Sequence, residues 1–183
     1  MPISGQGWEI LIERQSVQRN AAGRVRTVGR YTIFHNGTAA SGALMTGTVA
    51  ESPGPGSNAQ AGNKKRVEAG TYPLLTQAGT KYVTIGYSQN ANHTALPRPG
   101  VELGNTGHRS EILIHPGIGF LASIGCINLC TRLPDAEEPI SFPGSRNRVI
   151  AMIDDMKAFL GSDFPTSNGK KIARAHAVIE GEP

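Results

Sequence analysis

Long apolar runs, charged residues and cysteine are all scarce in this chain of 183 residues. No stretch approaches the ~20 apolar residues of a membrane-spanning helix, which excludes a helical membrane protein. Two cysteines do not suggest a disulfide-built scaffold at this length. Charged residues make up 17% and the formal net charge is only +4, so the chain lacks the charge excess that keeps disordered proteins open. We therefore expect one folded domain.

Signals for export and for nucleic-acid binding are also missing. The first residues contain no basic segment followed by an apolar one, so ordinary signal-peptide export is not indicated. Basic residues cluster only at 64–66 and 170–171, without interleaved aromatic residues, which argues against nucleic acid as a partner. We expect a protein made in the cytoplasm that binds neither nucleic acid nor membrane. Its modest positive charge is compatible with a polyanionic bacterial cell wall.

Glycine and proline are abundant, with 23 and 12 residues, and this composition predicts a mainly β (α+β) domain with many turns. The pattern predicts a helix that ends at Gly161, a flexible surface loop at 51–66, and a polar C-terminal tail at 164–183 with a last short element at 173–179. The predicted strands are 8–14, 30–34, 43–49, 68–75, 81–87 and 110–115, and the predicted helix is 149–160.

Residues 109–130 concentrate a histidine, a serine and two cysteines. A nucleophilic cysteine needs a neighbour that takes its proton, and histidine does so near neutral pH. His115 precedes Cys126 by 11 residues, and the glycines at 117, 119 and 125 would let the chain fold back so that the two side chains meet. Gly125 would also free backbone N–H groups for an oxyanion hole. The segment predicts acyl chemistry with Cys126 as nucleophile and His115 as base.

These residues resemble the L,D-transpeptidase (YkuD-like) catalytic domain, whose pattern is His-Gly, a variable loop, then Ser/Thr-His-Gly-Cys-hydrophobic-Arg/Asn. The matching positions are His115 and the run 123–128, and the predicted strands at 68–72 and 109–115 extend the resemblance. It implies a single L,D-transpeptidase-like β-sandwich over residues 1–183 with a C-terminal helix. It further implies transfer or hydrolysis on peptidoglycan stem peptides without a cofactor or a metal.

The resemblance also assigns roles to residues. Cys126 would be acylated, and His115 would be oriented by the backbone carbonyl of residue 116 or 117. Oxyanion binding would fall to the N–H groups of Gly125 and Cys126. The implied catalytic residues are Cys126, His115, Ser123 and Gly125, and the implied substrate-binding residues are Arg109, Asn128 and His108.

Departures from the family pattern motivate a second hypothesis. Ile124 stands where the family has histidine before Gly-Cys, and Pro116 stands where it has glycine. The loop between them is short, which would favour water as acceptor and hence carboxypeptidase over cross-linking activity. The alternative is an inactive wall-binding or phage structural module that keeps the fold.

Alternative roles also stay open for the two cysteines and for Arg109. Cys126 and Cys130 could form a disulfide, or could bind zinc together with histidines, although Cys-x3-Cys is a weak spacing for zinc. Arg109 could pair with Glu111 at the surface or bind a substrate carboxylate.

The run from Arg109 to His115, followed by Gly-Cys-Ile, is most similar to small signal-less relatives carried by phages or delivered as bacterial toxins. This likeness implies an antibacterial effector or a phage-borne enzyme that acts in the periplasm or at the cell wall. Delivery would then fall to a secretion system or a phage, and an immunity protein would be a further partner.

Overall fold

The structure, a computed structural model, describes residues 2–122 and 124–183. Its one α-helix among these residues, α1, spans Phe142–Leu160. The strands are β1 (Trp8–Arg19), β2 (Val25–His35), β3 (Thr38–Ala39), β4 (Thr46–Glu51), β5 (Gly70–Thr76), β6 (Tyr82–Val83), β7 (Arg98–Pro99), β8 (Val101–Leu103), β9 (Leu113–Pro116), β10 (Ile127–Cys130) and β11 (Lys171–Glu180).

Eight strands pair in a closed ring. The order is β1, β11, β5, β8, β9, β10, β4 and β2, and β2 pairs with β1 to complete it. β3 pairs with the last two residues of β2, on the same edge of β2 as β4. β6 and β7 form a separate parallel pair. The mainly β class is confirmed, and the hydrogen bonds of its main sheet run around the ring without a break.

The inner face of the ring packs on α1. Side chains alternate between the faces of a strand, and Trp8, Ile10 and Ile12 of β1 are fully buried in one cluster with apolar residues of the helix. Trp8 Nε1 also donates to Asp155 of α1 at 2.9 Å. The predicted helix is confirmed with an earlier start, because Ser141 caps its N-terminus by accepting from the Gly144 amide.

The predicted last short element at 173–179 is a strand, but the segment around it is not merely a polar tail. Residues Lys171–Glu180 form β11, which lies between β1 and β5 in the ring. Its core-facing positions include Ala175 and Ala177, both fully buried, and small alanine side chains gave this strand a weak apolar pattern beside its exposed basic residues. The predicted strand at 81–87 is also shorter than expected, with only Tyr82–Val83 in a ladder.

The Gly/Pro-rich segment after β4 has no helix or strand, as predicted, but it is not simply a surface loop. Arg66 at its end is only 1% exposed. Its guanidinium donates to Thr27 Oγ1 at 2.6 Å and to Glu182 Oε2 at 2.8 Å. These bonds anchor the segment to β2 and to the C-terminal residues.

Among the described residues, no helix combines the length and the apolar character needed to cross a membrane, and α1 is too polar.

Candidate functional site

Of the two residues predicted for acyl chemistry, His115 lies on β9, and Cys126 immediately precedes the parallel neighbouring strand β10. β9 and β10 pair with Ile114 opposite Ile127, and both of these side chains are fully buried in the core. Because side chains alternate along a strand, His115 and Cys126 fall on the opposite, outer face of the sheet. Both side chains line one cleft of about 330 Å³. Strand pairing therefore brings together the histidine and the cysteine that the sequence singled out.

Cys126 immediately precedes β10 and is partly exposed. Its Sγ accepts from the Leu113 amide at 3.4 Å, and the thiol donates to the Glu111 carbonyl at 3.6 Å. Burial raises the pKa of the Cys126 thiol, while the Leu113 amide and the Arg109 guanidinium partly oppose that rise. Cys126 is therefore a thiol at neutral pH, and it would need a base to become a thiolate.

His115 is held in the orientation that a base requires. Its Nδ1 lies 2.7 Å from the Pro116 carbonyl, which can only accept, so Nδ1 carries the proton and Nε2 is the basic nitrogen. The ring also packs against Tyr82, with 4.3 Å between centroids. Burial lowers the pKa of His115 to about 4, so the imidazole is neutral at physiological pH. In the resting structure the described contacts of His115 do not include a hydrogen bond to Cys126.

The lowered pKa of His115 predicts a loss of stability in acid. The neutral ring is favoured in the folded state, so between pH 6.5 and about 4 the unfolded chain binds more protons at this residue than the folded chain does. The free energy of unfolding therefore decreases as the pH is lowered through this range. From this residue alone we expect about 2.5 kcal/mol less stability at pH 4.5 than at pH 7.5. Urea denaturation at both pH values measures the difference in wild type and in His115→Gln. An equal difference in the two proteins would contradict the prediction.

Gly125 has a different role from the one predicted. Its N–H donates to Ser52 Oγ at 2.8 Å, so this amide is already engaged and cannot hold an oxyanion in the resting site. Its φ is +87°, and a Cβ at this position would clash with the Arg109 guanidinium. Glycine is therefore required here for backbone conformation and for the close approach of Arg109, which rests beside Cys126.

Ser52 connects Gly125 to β2 through two hydrogen bonds, one from the Gly125 amide and one from Thr27. The Ser52 side chain is buried after β4, and its carbonyl accepts from Thr27 Oγ1 at 2.9 Å. Ser52→Ala would leave the buried Gly125 amide without its acceptor, and we expect a loss of about 1–3 kcal/mol in the free energy of unfolding. Chemical denaturation measures it against Ser16→Ala, a matched control at an exposed position of β1. Equal stabilities of the two variants would contradict this role.

Of the residues predicted to bind substrate, Arg109 is the one whose charge acts on Cys126, where it lowers the pKa of the thiol. It is 6% exposed, donates to the Ser57 carbonyl at 3.1 Å and packs on Gly125. Among the ion pairs of residues 2–122 and 124–183, none joins Arg109 to Glu111. Its position favours stabilisation of a Cys126 thiolate.

The other two predicted substrate-binding residues lie away from the cleft surface. Asn128 is fully buried, and its Nδ2 donates to the His115 carbonyl at 3.1 Å, so it fixes the backbone of the histidine. His108 is exposed in a loop and does not line the cleft. Ser123, predicted to shape the catalytic site, lies outside the described residues.

Sequence reasoning missed several residues of the cleft. Tyr82 contributes a ring against His115 and a hydroxyl near the Arg98 side chain, and burial raises the pKa of that hydroxyl. Lys81 adds an exposed cation. They come from a segment predicted only as a strand, and their distance from Cys126 along the chain hides their proximity. The remaining lining residues are Gln77, Gly79, Thr80, Glu111 and Leu113.

The cysteine alternatives find no support in the described part of the chain. Neither Cys126 nor Cys130 is in a disulfide, and a search of residues 2–122 and 124–183 finds no group of three or more His, Cys, Asp or Glu side chains able to hold a metal. Cys130 is fully buried, and burial raises the pKa of its thiol to about 12. The two thiols therefore differ sharply in accessibility.

No family model, no curated protein and no solved structure matches this chain.

Proposed function

We propose that the protein is a cysteine-dependent acyltransferase or hydrolase of the L,D-transpeptidase type that acts on peptidoglycan stem peptides. One observation carries the proposal: a partly exposed cysteine and a neutral histidine, oriented by a backbone carbonyl, line the same cleft. The resemblance of residues 109–130 to the L,D-transpeptidase pattern supplies the substrate class. The finer fold assignment, an L,D-transpeptidase-like domain, belongs to the same proposal.

In the first half of the reaction, the thiol turns from the Glu111 carbonyl toward His115 as substrate enters the cleft. Hydrogen bonds between catalytic groups often tighten only in the substrate complex. His115 Nε2 takes the thiol proton, and Cys126 Sγ attacks the carbonyl between the third and fourth stem residues. The C–S bond forms, the C–N bond breaks, and His115 returns the proton to the departing amine. The product is a thioester on Cys126.

In the second half, water or an acceptor amine attacks the thioester carbonyl. His115 accepts the proton of the attacking group, the C–S bond breaks, and the proton returns to Sγ. Tyr82 lines the cleft, and we assign its hydroxyl as the side-chain donor to the oxyanion, since the Gly125 amide is held by Ser52. Lys81 and Arg109 place positive charge beside the carboxylates of a stem peptide.

The test is incubation of the pure protein with disaccharide tetrapeptide, followed by mass spectrometry of the peptides and of the intact protein. We expect release of the fourth residue, or its exchange for an added D-amino acid, and a thioester adduct on Cys126. A protein that leaves the tetrapeptide intact and never carries the adduct would overturn the proposal in favour of an inactive wall-binding module.

Thiol labelling gives an independent measure of the nucleophile. Iodoacetamide should modify Cys126 and spare Cys130 in the folded protein, because only Cys126 is partly exposed. The rate should rise with pH above neutrality, since burial raises the pKa of the Cys126 thiol. Peptide mapping identifies the labelled residue, and modification of both cysteines at equal rates would contradict the structure.

A further inference from the structure

A second polar cleft, of about 320 Å³, opens at the far end of β10. Thr48 of β4 stands in its wall, directly opposite both Arg30 of β2 and Cys130 of β10. Directly paired residues carry their side chains on the same face, so this row lies on the outer face of the sheet, as Cys126 does. We call this second cleft the arginine cleft, after Arg30, Arg132 and Arg148, which line it.

The arginine cleft concentrates positive charge without a balancing carboxylate. No Asp or Glu is among its lining residues. Arg30 and Arg132 are exposed, and neither takes part in an ion pair within residues 2–122 and 124–183. Glu13 is the cross-strand neighbour of Arg30 in the β1–β2 ladder, yet the described ion pairs do not include it. Three guanidiniums around one cleft repel each other, and an anion would relieve that repulsion.

Arg148 is held in place through its Nη1, and its buried Nε is unused. Its Nη1 donates to Tyr31 Oη at 2.9 Å and to the Thr46 carbonyl at 2.8 Å, which fixes the guanidinium plane between α1 and β4. Its Nε is buried and has no partner in the described structure. Buried donors are nearly always paired in folded proteins, so this Nε leaves Arg148 with a hydrogen-bonding capacity that the described residues do not satisfy.

We propose that the arginine cleft binds the phosphate group of a phosphomonoester or of pyrophosphate. A phosphate monoester carries about 1.5 to 2 negative charges at pH 7 and three acceptor oxygens, which suits three guanidiniums better than a single carboxylate does. The cleft is also larger than one phosphate group, so it has space for the part of the ligand that carries the phosphate. Arg148 supplies the preorganised contact, and Arg30 and Arg132 close on the ligand from the exposed side.

This site is separate from the cleft of Cys126. Cys126 immediately precedes β10 and Cys130 ends it, so at ~3.3 Å per residue of extended chain the cysteine of one cleft lies about 13 Å from the cysteine of the other. Apolar residues 121, 133 and 140 cover the sheet face between them, packed on Ala50 and Cys130. Phosphate binding therefore needs no acyl chemistry at Cys126, and the proposal does not depend on the proposed function.

Isothermal titration of the whole protein at fixed ionic strength tests the proposal, with pyrophosphate, glycerol 2-phosphate and glutarate as probes. We expect at least one of the two phosphate probes to bind at least 10-fold more tightly than glutarate. The double variant Arg30→Gln/Arg132→Gln should lose at least 10-fold in affinity for that probe. Arg19→Gln, which removes an exposed arginine near the end of β1, is the matched control and should bind as wild type. Because Arg30, Arg132 and Arg19 are all exposed, we expect these variants to fold normally, and circular dichroism checks their folding.

Three results would overturn the proposal. They are the absence of binding at millimolar phosphate probe, equal affinity for glutarate, and equal losses in the double variant and in Arg19→Gln. Which phosphate probe binds more tightly separates pyrophosphate from a phosphomonoester as the ligand chemistry. Iodoacetamide labelling of Cys126 in the double variant should match wild type, so failure of the phosphate site and failure of the acyl chemistry are read separately.

Discussion

Cys126→Ala should abolish stem-peptide processing, with a loss of at least about 1,000-fold in rate, because removing the nucleophile of a covalent mechanism leaves only binding and polarisation. The fold should be kept, since the side chain is partly exposed and the change removes one sulfur atom. Mass spectrometry of tetrapeptide digests measures the rate, and the adduct on the intact protein should disappear with it.

Cys130→Ala is the matched control. It removes the same atom from a fully buried position four residues further along the chain. We expect a modest loss of stability from the small cavity and a processing rate close to wild type. A processing rate in Cys126→Ala equal to that of Cys130→Ala would show that Cys126 is not the nucleophile.

His115→Gln should lower the processing rate by about 100- to 10,000-fold at pH 7, the range for loss of a general base. The reason lies in the two pKa directions: the thiol stays protonated at neutral pH, and the neutral imidazole is the group that takes its proton. At high pH the thiol ionises without help, so the loss should shrink as pH rises. A pH–rate profile of both proteins from pH 6 to pH 10 makes the measurement.

A purely structural histidine gives a different profile. His115 is buried against Tyr82, so its replacement could disturb packing as well as catalysis. Disturbed packing would lower the rate by the same factor at every pH, and that outcome would remove His115 from the mechanism. Denaturation of the same variant at pH 7 separates the two effects.

The meeting of His115 and Cys126 is predictable from the sequence, but the physical reason is not the one expected. Glycines at 117, 119 and 125 suggest a chain that folds back through turns. The structure achieves the approach by parallel pairing of β9 with β10, in which Ile114 and Ile127 share the core and leave their neighbours on the other face. The alternation of apolar residues in both segments carried that information.

The contacts that restrain the site come from distant parts of the chain, and local patterns cannot reveal them. Ser52 follows a strand that pairs with β10, so its bond to the Gly125 amide depends on the register of β4. Tyr82 reaches His115 from the short β6. Neither residue belongs to a motif, and only the closed sheet places them beside the nucleophile.

The element predicted at 173–179 is part of β11, but the full length of this strand and its place in the sheet were hidden for a related reason. Its buried alanines are too small to stand out, and the exposed Arg174 gives the segment a polar character. Its place in the sheet is determined by its two partners, β1 and β5, which lie far away in sequence. Long-range pairing of this kind has no local signature.

The place of β11 also sets the order in which the molecule can be completed. β1 pairs in parallel with residues 175–180, and β5 pairs with the other side of the same strand. While the chain is being synthesised, the β1–β2 hairpin can form early, but one edge of β1 and one edge of β5 stay unpaired until residues 171–180 have emerged from the ribosome. The ring can therefore close only after β11 has emerged, and until then its two open edges are exposed to wrong partners.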